Sequence, residues 1–273
     1  MTDFLAAALQ LTSTSEPEVN FARAEEQIEL ASRRGADLIG LPENFAFMGD
    51  DTKRLELSTA LSEQCSKFLV TMARRYQIVL LGGGFPVPLP DGNRTLNRSE
   101  LVGKDGQLLA QYDKIHLFDV DLPEGNTYRE SATIEPGKKS PPVVDIPGLC
   151  KVGISICYDV RFPELYRYLV EKGAELLLIP AAFTAFTGKD HWQVLLQARS
   201  IENTAYVLAP AQTGLHYGRR YSHGHAMVID PWGTVLADAG VQEGAAIAPI
   251  DTLHVGRIRE QMPSLQHRKK ELF

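Results

Sequence analysis

Residues 151–183 read KVGISICYDVRFPELYRYLVEKGAELLLIPAAF, and they hold a complete strand–helix–strand unit. The apolar run KVGISIC reads as a buried strand that stops abruptly at a cysteine. Pro163 suits the first position of a helix, where its missing N–H costs nothing. That helix, PELYRYLVEKG, leads into a second apolar strand, ELLLIPAAF. Strand and helix alternating in this way imply a largely parallel sheet with helices outside it.

Working outward, the same order recurs on the N-terminal side. Residues 4–11 form a buried strand. Ser15-Glu16-Pro17-Glu18 reads as a capping box with proline in the first turn. Phe21, Ala24, Ile28 and Ala31 follow at helical spacing, and Gly35 supplies a stop. ADLIGLPEN is a strand ending at Pro42-Glu43, a second helix runs from about Leu55 to Tyr76, and QIVLLGGGF is a third strand. Residues 97–113 read as a hairpin around a GKDG turn. Residues 113–150 are irregular and rich in proline, glycine and charge; a loop of that length in a compact domain is usually functional.

Beyond residue 183 come a helix (KDHWQVLLQARSIENT), a strand (AYVLAPAQT), a hairpin (AMVIDPWGTVLAD) and a closing strand (EGAAIAPID). Two halves with one order can pack sheet on sheet. The expected architecture is an α/β, four-layer αββα sandwich of two mixed sheets. No linker interrupts it, so residues 1–273 read as one domain.

Composition sets the outer limits. The chain has 273 residues, is 44% hydrophobic and 23% charged, and carries a net charge of -6. That is ordinary globular composition, long enough to bury a core without disulfides or metals. No basic stripe points to nucleic acid, and no window has the apolar length of a membrane span. The short basic tail QHRKKELF reads as solvated or partner-packed. The N-terminus lacks the basic region of a signal peptide. Three cysteines at unrelated spacings argue against a disulfide framework and for a reducing, cytoplasmic setting.

Sites in α/β sheets gather at the carboxyl ends of strands. Glu43, Lys114 and Cys157 each follow a separate strand. Alone, each has a plain reading: a solvated carboxylate, a surface lysine, a small buried hydrophobe. Together they supply what thiol attack on an amide needs: a base for the thiol proton, a cation for the developing oxyanion, and the nucleophile. The turn after Cys157 is expected to aim backbone N–H groups and a helix N-terminus at the sulfur, favouring thiolate. A G-x-S-x-G elbow is absent, so an ordinary serine hydrolase is excluded.

LPENF around Glu43, DKIHLFDV around Lys114 and ISICYDVRFPEL around Cys157 resemble the three signature motifs of the nitrilase superfamily. GHAMVIDPWG resembles its late hairpin. HLFDVDLP, YRES and FTAFTGKDHWQVLLQARSIEN are most similar to the Nit branch of amidases. The resemblance implies the αββα sandwich, dimerising to αββααββα through helices beside the site, and a thioester mechanism without cofactor or metal. It implies Glu43 as base, Lys114 as oxyanion cation, Cys157 as nucleophile, Glu130 as a second glutamate steadying the lysine, and the Tyr158 N–H as second oxyanion donor. The expected activity is ammonia release from a small carboxylate-bearing amide. Deaminated glutathione is favoured over α-ketoglutaramate on the loop AQTGLHYGRRYSHGH, with nitriles and N-carbamoyl compounds as further alternatives.

Arg161, four residues after Cys157, is expected to hold the substrate carboxylate as a bidentate partner, helped by the Thr187 hydroxyl. Phe183 and Tyr128 are expected to wall the pocket, with core or loop packing as their plainer reading. Gly82-Gly83-Gly84 lacks the residues of a phosphate loop and reads as permitting close backbone approach. His223-Gly224-His225 lacks the spacing of a metal site and reads as a strand start. Cys65 and Cys150 read as structural. Two other classes compete. A metal-dependent phosphoesterase would need clustered metal ligands and would lose activity to a chelator. A catalytically idle interaction module would leave Cys157 no more reactive to iodoacetamide than Cys65.

Overall fold

The computed structural model describes residues 3–123 and 126–272. The first half runs β1 (Asp3–Leu11), α1 (Pro17–Arg33), β2 (Ala36–Gly40), α2 (Asp51–Tyr76), β3 (Val79–Pro88), β4 (Thr95–Val102) and β5 (Leu108–Asp113). A small hairpin follows, β6 (Asp119–Leu122) and β7 (Asn126–Arg129), then β8 (Val143–Asp145). The 113–150 segment is therefore less irregular than its composition suggests. The second half runs β9 (Lys151–Ile154), α3 (Pro163–Glu171), β10 (Leu176–Leu178), α4 (Ala185–Asn203) and β11 (Tyr206–Ala209). It continues with β12 (Ala211–Tyr217), β13 (Arg220–His223), β14 (Met227–Ile229), β15 (Val235–Asp238), β16 (Gly244–Asp251) and α5 (Thr252–Gln261).

Two mixed sheets form. One has the order β13-β12-β1-β2-β3-β4-β5, with β16 also pairing β1; the other is β15-β14-β11-β10-β9-β8. Side-chain alternation along the first sheet separates the layers. Ala6 and Ala8 of β1, Leu38 of β2 and Val79 and Leu81 of β3 share a core with Val152, Leu177 and Val207 of the second sheet. Their neighbours Ala7, Leu9, Ile39 and Leu80 join Ala24 and Ile28 of α1 and Leu61 and Leu69 of α2. A period of two therefore sends alternate residues to opposite faces, one toward the partner sheet and one toward the helices. Helices α3 and α4 cover the second sheet with Leu169, Trp192 and Leu196. Each buried Leu or Ile stabilises this arrangement by about 1.5–3 kcal/mol. The layers are αββα.

Three local expectations change. The segment AYVLAPAQT is two strands, not one: β11 pairs β10 in the second sheet, while β12 pairs β1 in the first. The change of sheet falls at Pro210, which has no N–H to give a ladder. Gly40 makes room for it, since a Cβ there would stand 2.5 Å from the Pro210 ring. The capping box before α1 does not form either. Glu16 is the N-cap without a side-chain hydrogen bond, and Pro17 opens the helix. Finally, α2 begins at Asp51 rather than near Leu55, because the Asp50 side chain caps it by accepting the Lys53 N–H at 2.9 Å.

Candidate active site

Glu43 lies in the loop after β2 and is buried. The glycines of β3 let that loop close on the sheet: a Cβ on Gly83 would fall 2.2 Å from the Pro42 carbonyl oxygen. Asn44, in the left-handed region at φ 60°, donates its N–H to the Gly84 carbonyl at 2.6 Å. Both carboxylate oxygens of Glu43 are occupied. Oε1 accepts from Lys114 Nζ at 3.1 Å and Asn97 Nδ2 at 2.9 Å, and Oε2 accepts the Ala182 N–H at 2.9 Å. Burial pushes the Glu43 carboxyl up, but the Lys114 charge and the hydrogen bonds from Cys157 and Ala182 outweigh it, so Glu43 is held below the usual carboxylate range.

Lys114 follows β5 directly and is only 2% exposed, so the surface-lysine reading fails. Its Nζ also meets Glu130 Oε1 at 2.9 Å and Oε2 at 2.8 Å. Burial alone would lower its pKa; the Glu130 and Glu43 carboxylates reverse this and hold it well above the ordinary lysine value. Glu130 is itself fixed by the Phe118 N–H, which donates to Oε2 at 2.6 Å.

Cys157 begins a 3-10 turn that runs to Arg161, with its own backbone in the left-handed region at φ 47°. An L-residue there carries strain of order 1–3 kcal/mol, which the surroundings must hold. They do so through hydrogen bonds. The Cys157 N–H donates to the Pro180 carbonyl at 2.9 Å. Asp159, fully buried, accepts the Ile156 N–H at 2.9 Å and the Tyr112 hydroxyl at 2.7 Å, and its other oxygen lies 2.7 Å from His116 Nδ1. The His116 ring stacks on Phe162 at 3.6 Å between centroids. The Tyr158 N–H precedes the first internal bond of the turn, from the Asp159 N–H to the Ile156 carbonyl at 3.1 Å.

The expectation of a thiolate is corrected. Burial first, then the Glu43 charge, push the Cys157 thiol well above its ordinary value, and the Lys114 charge does not offset them. Helix α3 starts only at Pro163, beyond the 3-10 turn. The resting pair is a neutral thiol beside an ionised glutamate.

Glu43, Lys114, Glu130, Cys157, Tyr158, Phe183, Thr187 and Tyr128 all line one cleft of about 1000 Å³, open mouth included. Phe183 packs on Trp192, and the Thr187 hydroxyl lies 2.8 Å from that of Thr184, the cap of α4. Arg161 borders the cleft, set against two of the rings that line it, Phe183 and Tyr158. Its guanidinium lies 5.2 Å from the Phe183 ring centroid and 5.8 Å from that of Tyr158, and both terminal nitrogens are 3.3 Å from His191 Nδ1. The aromatic faces attract the cation and hold it on those rings. The guanidinium groups that do line the cleft belong to Arg54, Arg129 and Arg220.

The Carbon-nitrogen hydrolase family profile matches residues 5–260. The chain belongs to the carbon-nitrogen hydrolase family. A deaminated glutathione amidase of Synechocystis sp. (strain PCC 6803 / GT-S) is 59% identical over 269 residues, covering 98% of this chain and 99% of that relative. The crystal structure of the C. elegans NitFhit protein matches with a TM-score of 0.95 at 38% identity, covering 100% of this chain and 66% of that one. An amidase from Nesterenkonia sp. AN1, of the nitrilase superfamily, matches with a TM-score of 0.80 at 28% identity, covering 98% of this chain and 95% of that one. That amidase's structure shows acrylamide added to its active-site cysteine.

In this carbon-nitrogen hydrolase, sequence reasoning passed over four groups of the cleft and its supports. Asn97 belongs to a buried polar row, Thr95, Asn97 and Ser99, at every second position of β4. That buried alternation of small polar residues was a usable signal. Asp159, two residues after the cysteine, was another. The Ala182 N–H and Arg220 had no local signal, since their roles depend on contacts across the sheets. The segment His223-Gly224-His225 ends β13 rather than starting a strand. Among the described residues no group of three or more His, Cys, Asp or Glu side chains is arranged to hold a metal ion. Among them, too, no helix is long and apolar enough to cross a membrane.

Proposed function

We propose that the protein is a thiol-dependent amidohydrolase acting on a small amide that carries carboxylates, with deaminated glutathione as the favoured substrate. The observation that carries this reading is the buried cluster of Glu43, Lys114 and Glu130 sharing one cleft with the Cys157 thiol. The name of the Synechocystis relative supports the substrate. Glu43 takes the thiol proton as sulfur attacks the amide carbon. Lys114 and the Tyr158 N–H stabilise the oxyanion, in a site dry enough for their charges to count. The tetrahedral adduct collapses when Glu43 returns the proton to the leaving nitrogen, and an acyl thioester remains on Cys157. Water, losing its proton to Glu43, then attacks the thioester, releasing the acid and restoring the thiol.

Both amide bonds of deaminated glutathione are secondary. Hydrolysis of either frees an amine, and ammonia is the product only for primary amides such as α-ketoglutaramate. The test is therefore product identification by mass spectrometry across both substrates, with Cys157→Ala as control. Efficient cleavage of deaminated glutathione by the wild type, absent in a folded Cys157→Ala protein, is the expected result. Turnover by that variant, or preference for a primary amide, overturns it.

The pairing of two copies belongs to the same proposal. Phe186, Val194 and Ile201 are exposed apolar residues spaced along one face of α4, and Trp232 is 58% exposed nearby. Such a face supports dimerisation through that helix. Light scattering of the wild type against Val194→Asp checks it. Three free thiols suit a reducing compartment such as the cytoplasm.

A further inference from the structure

Of the three guanidinium groups lining the cleft, two are tied to carboxylates of the protein. Arg54 lies 3.2 Å from Asp51 and also donates to Thr133 at 2.8 Å. Arg129 meets both oxygens of Asp121 at 2.8 Å. Among the described residues Arg220 has no carboxylate partner. It lies instead over an aromatic ring, its guanidinium carbon 4.0 Å from the centroid of Tyr128, and hydrogen-bonds the Tyr217 side chain. A guanidinium has five N–H donors, so a bond to one tyrosine oxygen leaves others that match the two oxygens of a carboxylate.

The position of Arg220 says which carboxylate. Arg220 and Ser222 are two residues apart on β13, so they share one face at a separation of about 7 Å. Ser222 is buried and bridges to Thr184. Arg220 is half-buried and adjoins the exposed turn at Gly218 and Arg219. The strand thus runs from the interior out to the mouth, with the arginine at the outer end. In a thioester mechanism the acyl half stays on buried Cys157 while the amine departs first, so that water can enter. The departing half must therefore lie on the mouth side.

We propose that Arg220, held on the Tyr128 ring, receives the carboxylate of the leaving amine, and so selects amides whose amine half is an acidic amino acid or short peptide. This rests on the amidohydrolase reading above. The ion pair forms alike in the bound and transition states, so its removal raises KM and leaves kcat nearly unchanged.

The test measures kcat and KM for deaminated glutathione and for its C-terminal carboxamide. The proteins compared are wild type, Arg220→Ala, Arg220→Lys and Arg161→Ala. Arg220→Ala removes a charge-assisted hydrogen bond, which should lower kcat/KM for the acid roughly 10- to 150-fold, through KM. The carboxamide should be cleaved nearly as well as by wild type, and Arg220→Lys should recover only part of the deficit. Equal deficits on both substrates, or discrimination that survives Arg220→Ala and vanishes in Arg161→Ala, overturn the proposal while leaving the amidohydrolase reading intact. A wild type inactive on both substrates sinks that reading and this proposal with it.

Discussion

Glu130 is the group whose contribution can be worked most directly from distances. Its two oxygens lie 2.9 and 2.8 Å from Lys114 Nζ, and one also takes the Phe118 N–H at 2.6 Å. In Glu130→Gln the side chain keeps its shape but offers one oxygen and one NH2. Whichever way the amide turns, the lysine loses a charged acceptor or faces another donor. A hydrogen bond to a charged group contributes about 1.5–3 kcal/mol. Lys114 keeps Glu43 at 3.1 Å, so the ammonium survives but is less firmly placed. If the loss is expressed in the transition state, kcat/KM falls roughly 10- to 150-fold. If it is also expressed in the fold, Tm falls by roughly 3–12 °C, at about 2–4 °C per kcal/mol for a chain near this size. Glu43→Gln removes the proposed base itself and should fall much further. The assay is steady-state kinetics on the preferred amide beside a thermal melt, with Glu130→Asp as a charge-preserving control. A folded Glu130→Gln protein with wild-type kcat/KM would refute the idea that Glu130 places the oxyanion cation.

The pH profile should be broad. Glu43 must be ionised to act, and its pKa is held below the ordinary carboxylate value, so activity is lost only as pH falls through that depressed value. Cys157 and Lys114 are both raised well above their ordinary values, so activity should show no rise near the ordinary thiol value of about 8.5; a kcat/KM that climbs through that region would mean a thiolate enzyme instead. Asp159→Ala leaves the buried Ile156 N–H and Tyr112 hydroxyl without their acceptor, which should cost roughly 2–6 kcal/mol in denaturant unfolding and depress kcat as the strained turn relaxes. An unchanged unfolding midpoint would show that the turn is held by other interactions.

The layered fold was legible in sequence because its signals are local. The apolar run of β1 and the proline opening α3 work over a few residues, and strands and helices in close succession leave few topologies. What was not legible depends on contacts between distant segments. Pro210 changes sheets, yet nothing nearby separates it from a proline at a strand edge. The spacing from Cys157 to Arg161 was read as a turn, and a 3-10 turn stands there, but spacing alone does not say that the fold sets the guanidinium against the rings of Phe183 and Tyr158. Residue types named Glu43, Lys114 and Cys157 as a set. Only the fold shows that Lys114 is buried between two carboxylates, and that this arrangement leaves the thiol protonated.

The central claim is that Cys157 carries the acyl group of the substrate. Intact-protein mass spectrometry of enzyme quenched in acid during turnover of a slow amide tests it most directly. The account predicts an adduct equal to the acyl half, mapped by peptide digestion to Cys157 and absent from Cys65 and Cys150. It predicts that Glu43→Gln, lacking an acceptor for the thiol proton, gains the same adduct far more slowly than the wild type. Steady turnover with no adduct in either protein, together with activity in a folded Cys157→Ala variant, would contradict it.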